Sequence, residues 1–126
     1  PNVITAVASD VAGNTAAPSP GLTVVLDTTA PALAAPDLLA ASDTGISATD
    51  NITNSPTHQF TGSASNGDVI RIFVDGRTVN TVTATDGSWS YTHTLGPGTY
   101  DVTVQGRDLA GNVGAASPAL SLTVDT

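Results

Sequence analysis

The pentapeptide Asp108-Leu109-Ala110-Gly111-Asn112 occurs a second time as Asp10-Val11-Ala12-Gly13-Asn14, with one apolar residue exchanged for another. Sliding residues 1–28 by the 98 positions that separate Asp10 from Asp108 carries Gly13 onto Gly111 and Asn14 onto Asn112. Without a gap, the same shift carries Ser19-Pro20 onto Ser117-Pro118, Leu22 onto Leu120 and Asp27-Thr28 onto Asp125-Thr126. Self-similarity at a fixed period describes an array of like units that meet end to end. A period of about one hundred residues is too long for a solenoid turn and suits a domain with its own core. On this basis residues 29–126 are one complete unit, and residues 1–28 are the C-terminal remnant and junction of a unit upstream. The ends of the chain are then cuts in a longer array.

Within the units the apolar residues recur at period two. Ile4, Ala6 and Ala8 alternate against Thr5, Val7 and Ser9, and Leu22, Val24 and Leu26 share one side, so residues 3–9 and 22–26 read as the last two strands of the upstream unit. A lone two-stranded piece is marginal in water, which predicts that it borrows a partner or is poorly ordered. At the junction, Pro31 fixes its own φ and biases Ala30 to extended geometry, giving a short, semi-rigid connection. Residues 37–41 read as a first strand and 43–54 as a long polar loop. From Thr57 the pattern sharpens into strands at 57–64, 69–75, 78–85, 89–95, 100–104 and 120–124. Asp75-Gly76 and Asp86-Gly87 are hairpin turn pairs, and Gly96-Pro97-Gly98 turns the chain again. Seven short strands spaced by turn chemistry, with no helical stretch, predict an all-β antiparallel sandwich.

Composition limits what such a sandwich can bind. The formal charge is −8, with three Arg and no Lys, so the basic surface that nucleic acid or anionic lipid needs is missing. All eleven acidic residues are Asp, a residue of turns, so the acid is concentrated in loops. With no Cys, neither disulfides nor thiolate metals can brace the fold. No apolar run is long enough to span a membrane, and any targeting signal is expected outside these residues. Catalysis has little footing: there is no G-x-S-x-G or H-E-x-x-H, and His58 and His93 sit on strands among apolar neighbours.

An ordered set of motifs gives the unit a family resemblance. Phe60-Thr61-Gly62-Ser63-Ala64 is followed by Val74-Asp75-Gly76, Asp86-Gly87-Ser88-Trp89-Ser90-Tyr91 and Gly98-Thr99-Tyr100-Asp101-Val102-Thr103-Val104. The Asp108 to Asn112 loop and the closing Thr123-Val124-Asp125-Thr126 complete it. Together they resemble the bacterial immunoglobulin-like repeats of giant secreted surface adhesins. The resemblance implies a seven-stranded antiparallel immunoglobulin-like sandwich acting as an extracellular, cell-surface stalk. Many such repeats hold a terminal adhesive domain away from the cell, and in several members calcium at the domain junctions stiffens the rod. The expected partners are neighbouring repeats of the same chain, with no obligate oligomer and no enzymatic activity.

If the strands run as in such a sandwich, the turns at 66–68, 86–87 and 108–112 share the pole where the chain arrives from Asp27. Asp27, Asp108 and Asn112 are therefore the first candidates for a calcium site, with Asp68 as a fourth ligand. Calcium takes about six to eight oxygens from carboxylates, amides, backbone and water. The opposite pole gathers the 43–54 loop and Asp125, where Asp43, Asp50 and Asn51 are candidates for a second ion. The competing reading is local: Asp and Asn cap turns by bonding their own backbone, and Gly111 supplies positive φ. No contiguous calcium loop is present.

Other features have plainer alternatives. Trp89, Tyr91, Tyr100 and Phe60 could make a sugar-stacking platform, but alternation sends Trp89 and Tyr91 to the same side as Leu95, toward the core. Tyr100, at the start of the sixth strand, is placed to bond back to the backbone as a tyrosine corner. Thr81, Thr83 and Thr85 form a row that suits either an ordered surface such as ice or, more simply, water. Asn51-Ile52-Thr53 matches a glycosylation sequon of low specificity. Two rival functions remain on the sequence alone. One is a ligand-binding module that contacts a host glycan or protein; the other is an accessory domain of a surface enzyme, which predicts unlike neighbours.

Overall fold

Ile70, Ile72 and Val74 are buried on one side of a strand whose Arg71 faces water, and the same alternation sorts the inner from the outer face over 57–60, 102–106 and 120–124. The computed structural model describes residues 1–126. Its strands are β1 (Asn2–Ile4), β2 (Leu22–Val24), β3 (Asp37–Leu38), β4 (Ile52–Thr53), β5 (Thr57–Ser63), β6 (Val69–Val74), β7 (Arg77–Thr83), β8 (Ser88–Thr94), β9 (Gly98–Arg107) and β10 (Leu120–Val124). There is no helix. β3, β5 and β8 form one sheet, and β4, β10, β9, β6 and β7 form the other in that order. Leu38, Phe60 and Trp89 from the first sheet meet Ile70, Ile72, Val102, Val104, Leu122 and Val124 from the second in one core. This is the all-β sandwich that the period-two pattern predicts.

Local chemistry sets the corners. Asp75 and Gly76 take φ of 50° and 77°, and Asp86 and Gly87 take 52° and 80°, the left-handed pair that a tight β-turn requires. The first closes the β6–β7 hairpin. The second does something the sequence does not announce: it closes only the Thr85–Ser88 bridge and hands the chain from one sheet to the other. The Tyr100 hydroxyl donates to the Gly96 carbonyl at 3.1 Å, tying the turn before β9 to that strand as expected of a tyrosine corner.

Two stretches differ from the sequence expectation. The first strand is two residues long rather than 37–41: Leu39 N–H still bonds across to the Gln59 carbonyl, but Ser42 N–H and Asp43 N–H then turn back onto the Leu39 carbonyl. The loop at 43–54 contains β4, which pairs parallel to β10, so one short pair departs from the all-antiparallel expectation. Asn51, at φ 59°, aims its carbonyl at Thr123 N–H, and Thr53 accepts from Asp125 N–H. A backbone corner, not an apolar pattern, makes this strand.

Residues 1–28 reproduce the main backbone bonds of residues 99–126. Asn2 pairs with Val24 and Ile4 with Leu22, as Tyr100 pairs with Leu122 and Val102 with Leu120. The Ser9–Thr15 bridge repeats Arg107–Val113. The backbone bonds of Asp10 to Asn14, of Ala16 to Ala8 and of Ser19 to Ala6 repeat those of Asp108 to Asn112, Gly114 to Gly106 and Ser117 to Val104. Burial differs completely: Val102 and Leu122 are 0% exposed, whereas their counterparts Ile4 and Val24 are 57% and 41% exposed. The strand predicted over 3–9 accordingly shortens to β1, and no residue from 1 to 30 is covered.

Candidate functional site at the junction pole

Asp108 and Asn112 are placed by a turn that closes on itself. Gly111 takes φ of 94° and donates its N–H to the Asp108 carbonyl, which swings the chain back so that Asn112 faces the Asp108 side chain. Asp108 Oδ1 accepts from Asn112 N–H at 2.8 Å, and Oδ2 accepts from Asn112 Nδ2 at 2.8 Å. The bonds from Asn112, its side chain first, hold the Asp108 carboxyl below its ordinary value of 3.8. A depressed carboxylate contributes stability above its unfolded pKa and loses it as pH falls, so the clasp weakens in acid below 3.8. Asp10 and Asn14 form the same two bonds, at 2.8 Å each, and Asp10 is depressed for the same reason.

The Asp108–Asn112 clasp does one thing more. Asn112 Nδ2 also donates to the Asp27 carbonyl at 3.0 Å, reaching across 85 positions of sequence to the junction. Asp27 in turn caps its own turn, with Oδ1 accepting from Thr29 N–H at 3.0 Å. Asp27, Asp68 and Asp108 line one cleft of about 810 Å³ together with Asn66, Gly87 and Pro31. Asn66 Oδ1 accepts from Gly87 N–H at 2.6 Å and ties two of the polar turns together. The pole anticipated from the sequence is therefore assembled, and Asp68 is buried within it. The acids line the cleft without converging: no three His or Asp side chains stand close enough to hold a metal ion.

At the opposite pole Asp43 is only 2% exposed. Its Oδ2 accepts from Asn51 N–H at 3.1 Å, while its Oδ1 has no hydrogen-bond partner. Asp50 is exposed and caps Ile52 N–H at 3.1 Å. Asp50, Ile46, Asn54 and Asp125 line a second cleft of about 310 Å³. Nothing in the sequence links Thr44 with Thr53, yet their hydroxyls lie 2.8 Å apart and the Thr53 hydroxyl donates to the Ser42 carbonyl at 2.7 Å. Nothing in the spacing of such common residues marks that knot.

The remaining candidates fall out. Phe60 and Trp89 are core, Phe73, Tyr91 and Tyr100 are half-buried, and none offers an exposed stacking platform. Thr81, Thr83 and Thr85 are exposed along or just past β7, the edge of its sheet. His58 is fully buried, and neither ring nitrogen has a partner. It pairs in register with His93, whose Nδ1 meets the Tyr91 hydroxyl at 3.0 Å, so no acid–base relay links the two imidazoles.

A family model described as a bacterial Ig-like domain matches residues 29–126. Exoglucanase B of Cellulomonas fimi is 36% identical over 121 residues, which cover 92% of this chain and 10% of that protein. The chain thus spans a small part of that relative's length. The fibronectin(III)-like modules of Clostridium thermocellum CbhA are similar at a TM-score of 0.48 and 16% identity, over 59% of this chain and 81% of theirs.

Proposed function

Because this chain belongs to the bacterial Ig-like domain family, we propose that it is a structural extender, a non-catalytic unit of a tandem array that holds other parts of an exported protein apart. One observation carries this: residues 1–28 repeat the bonding of residues 99–126, and the Asp108–Asn112 clasp of the complete unit grips the segment between them at Asp27. We take residues 1–28 as the tail of a preceding unit and 29–126 as one complete unit. The two aligned units are then spaced by a short segment, capped at Thr29 and stiffened by Pro31, rather than by a flexible tether.

The setting we propose is the stalk of a secreted, surface-attached adhesin. The similarity to part of Exoglucanase B favours a second setting, a spacer between the working parts of an exported glycan-degrading enzyme. In both, the unit's task is distance and orientation. Its neighbours separate the two: like units on both sides for a stalk, a catalytic domain close by for an enzyme.

Calcium at the joint is part of the proposal. The net charge of −8 and the three aspartates around one cleft support it, since two such acidic poles repel without a cation. Asp27, Asp68, Asp108 and the Asn112 side chain would hold that ion, and Asp43, Asp50 and Asn51 a second, with the unpartnered Asp43 Oδ1 supporting the latter. The bound ion would supply the positive charge that lets the poles approach. Because the acids do not converge in the structure, ligation requires the pole to draw in. Calorimetric titration of calcium into the 126-residue chain tests this, with Asp27→Ala/Asp108→Ala and Asp43→Ala variants alongside. Heat lost in the first variant is the expected result; no heat at millimolar calcium removes the ion and leaves the extender.

A further inference from the structure

Gly106 and Gly114 lie side by side where β9 meets the chain returning to β10, with Gly114 N–H donating to the Gly106 carbonyl at 2.9 Å. The leading segment, residues 27–33, runs directly over them. A Cβ on Gly114 would run into the Pro31 carbonyl oxygen. One on Gly106 would stand 2.9 Å from Pro31 Cβ and 3.3 Å from Leu33 Cδ1. These three obstacles are a backbone oxygen, a ring carbon and the end of a half-buried side chain, and the first two cannot swing aside cheaply. Neither glycine has the positive φ of Gly111, so glycine is present here for close approach and not for a turn. With Asn112 holding the Asp27 carbonyl, the segment is fastened at three successive points.

The upstream copy keeps one of these devices and lacks the other. Shifted by 98 positions, Gly106 falls on Ala8 and Gly114 on Ala16, while Asp108 and Asn112 fall on Asp10 and Asn14. The backbone there has the same course, with Ala16 N–H donating to the Ala8 carbonyl at 2.8 Å. Two methyl groups therefore stand where the seated path would pass.

We infer that the Gly106–Gly114 pair is a seat that fixes the segment leading into its own unit, and that joints within the array are of two kinds. This rests on residues 1–28 being the tail of a preceding unit. The joint at 27–33 is clasped and seated. The joint leading into the preceding unit is clasped by Asn14 alone, its segment standing off from Ala8 and Ala16. An array built this way bends preferentially at the alanine joints.

The test is backbone ¹⁵N relaxation on the 126-residue chain. The amides of Thr29, Ala30, Ala32 and Leu33 should relax as rigidly as Val104, with order parameters of about 0.85, and Gly114→Ala should lower them below ~0.6. Gly106→Ala, which meets only side-chain atoms, should act in the same direction, and it serves if Gly114→Ala prevents folding. Trp89 and the β9–β10 amides report that the sandwich persists. Unchanged order at 29–33 in a folded variant overturns the seat. In a chain extended through the whole preceding unit, the segment leading into that unit should be less ordered than 29–33, and Ala8→Gly with Ala16→Gly should tighten it. Equal order in the two segments overturns the two kinds of joint. Absence of a second folded unit overturns instead the identity of residues 1–28.

Discussion

His58 is sealed inside the sandwich, at 0% exposure. It occupies the core beside Phe60, with ring centroids 6.4 Å apart, and no group accepts or donates at either nitrogen. Burial, opposed in part by nearby backbone carbonyls and assisted by His93, pushes its pKa below the ordinary 6.5. A base with a depressed folded pKa is less protonated in the native state, so stability falls as pH drops below 6.5 toward the folded value. Changing His58→Phe should flatten that slope, and relief of unpaired buried nitrogens worth roughly 1–3 kcal/mol should leave the variant the more stable at pH 5. Urea melts of both proteins from pH 7 to pH 5 check it. Parallel slopes would contradict it. The sequence put His58 on a strand with apolar neighbours, and that much was legible. Its total burial was not, because alternation gives a face but not the depth of what covers it. Asp108 was ambiguous for a related reason: a turn cap and a calcium ligand need the same residue, and the structure shows the cap.

Among the elements, the pairing of β5 with β8 sets the thickness of the smaller sheet. Gly62 lies opposite Trp89, and a Cβ on Gly62 would come within 2.6 Å of the indole nitrogen and 2.8 Å of two ring carbons. Trp89, only 4% exposed, cannot yield without leaving the core. Gly62→Ala should therefore destabilise the sandwich by about 1–3 kcal/mol, an overpacking cost, read as a lower urea midpoint at unchanged m-value. The β1–β2 hairpin is at the other extreme, with its apolar residues uncovered. A protease of broad specificity should cut residues 1–28 well before residues 57–107; equal rates would mean that the hairpin finds cover in solution. Long strands were readable because six or seven alternating positions outvote one exception. β4 was not, since two residues have no period, and Asn51 at positive φ leaves no apolar trace.

For the whole molecule, every buried residue of the core lies between Leu38 and Val124. Nine of the eleven aspartates lie outside the strands, and clefts lined by some of them lie at both poles. In the proposed array, units arranged pole to pole would extend along one axis, with the bond from Asn112 to the Asp27 carbonyl holding the joint. A tandem of two 29–126 units tests this directly, because its joint Asp125-Thr126-Thr29 restores the sequence Asp27-Thr28-Thr29. Small-angle X-ray scattering, with and without millimolar calcium, reads the distance between the units. An extender predicts one narrow distribution with a longest dimension close to that of two units laid end to end, broadened by Asn112→Ala. A distribution as wide as that of a freely hinged pair, with calcium and without it and indifferent to Asn112→Ala, would contradict it.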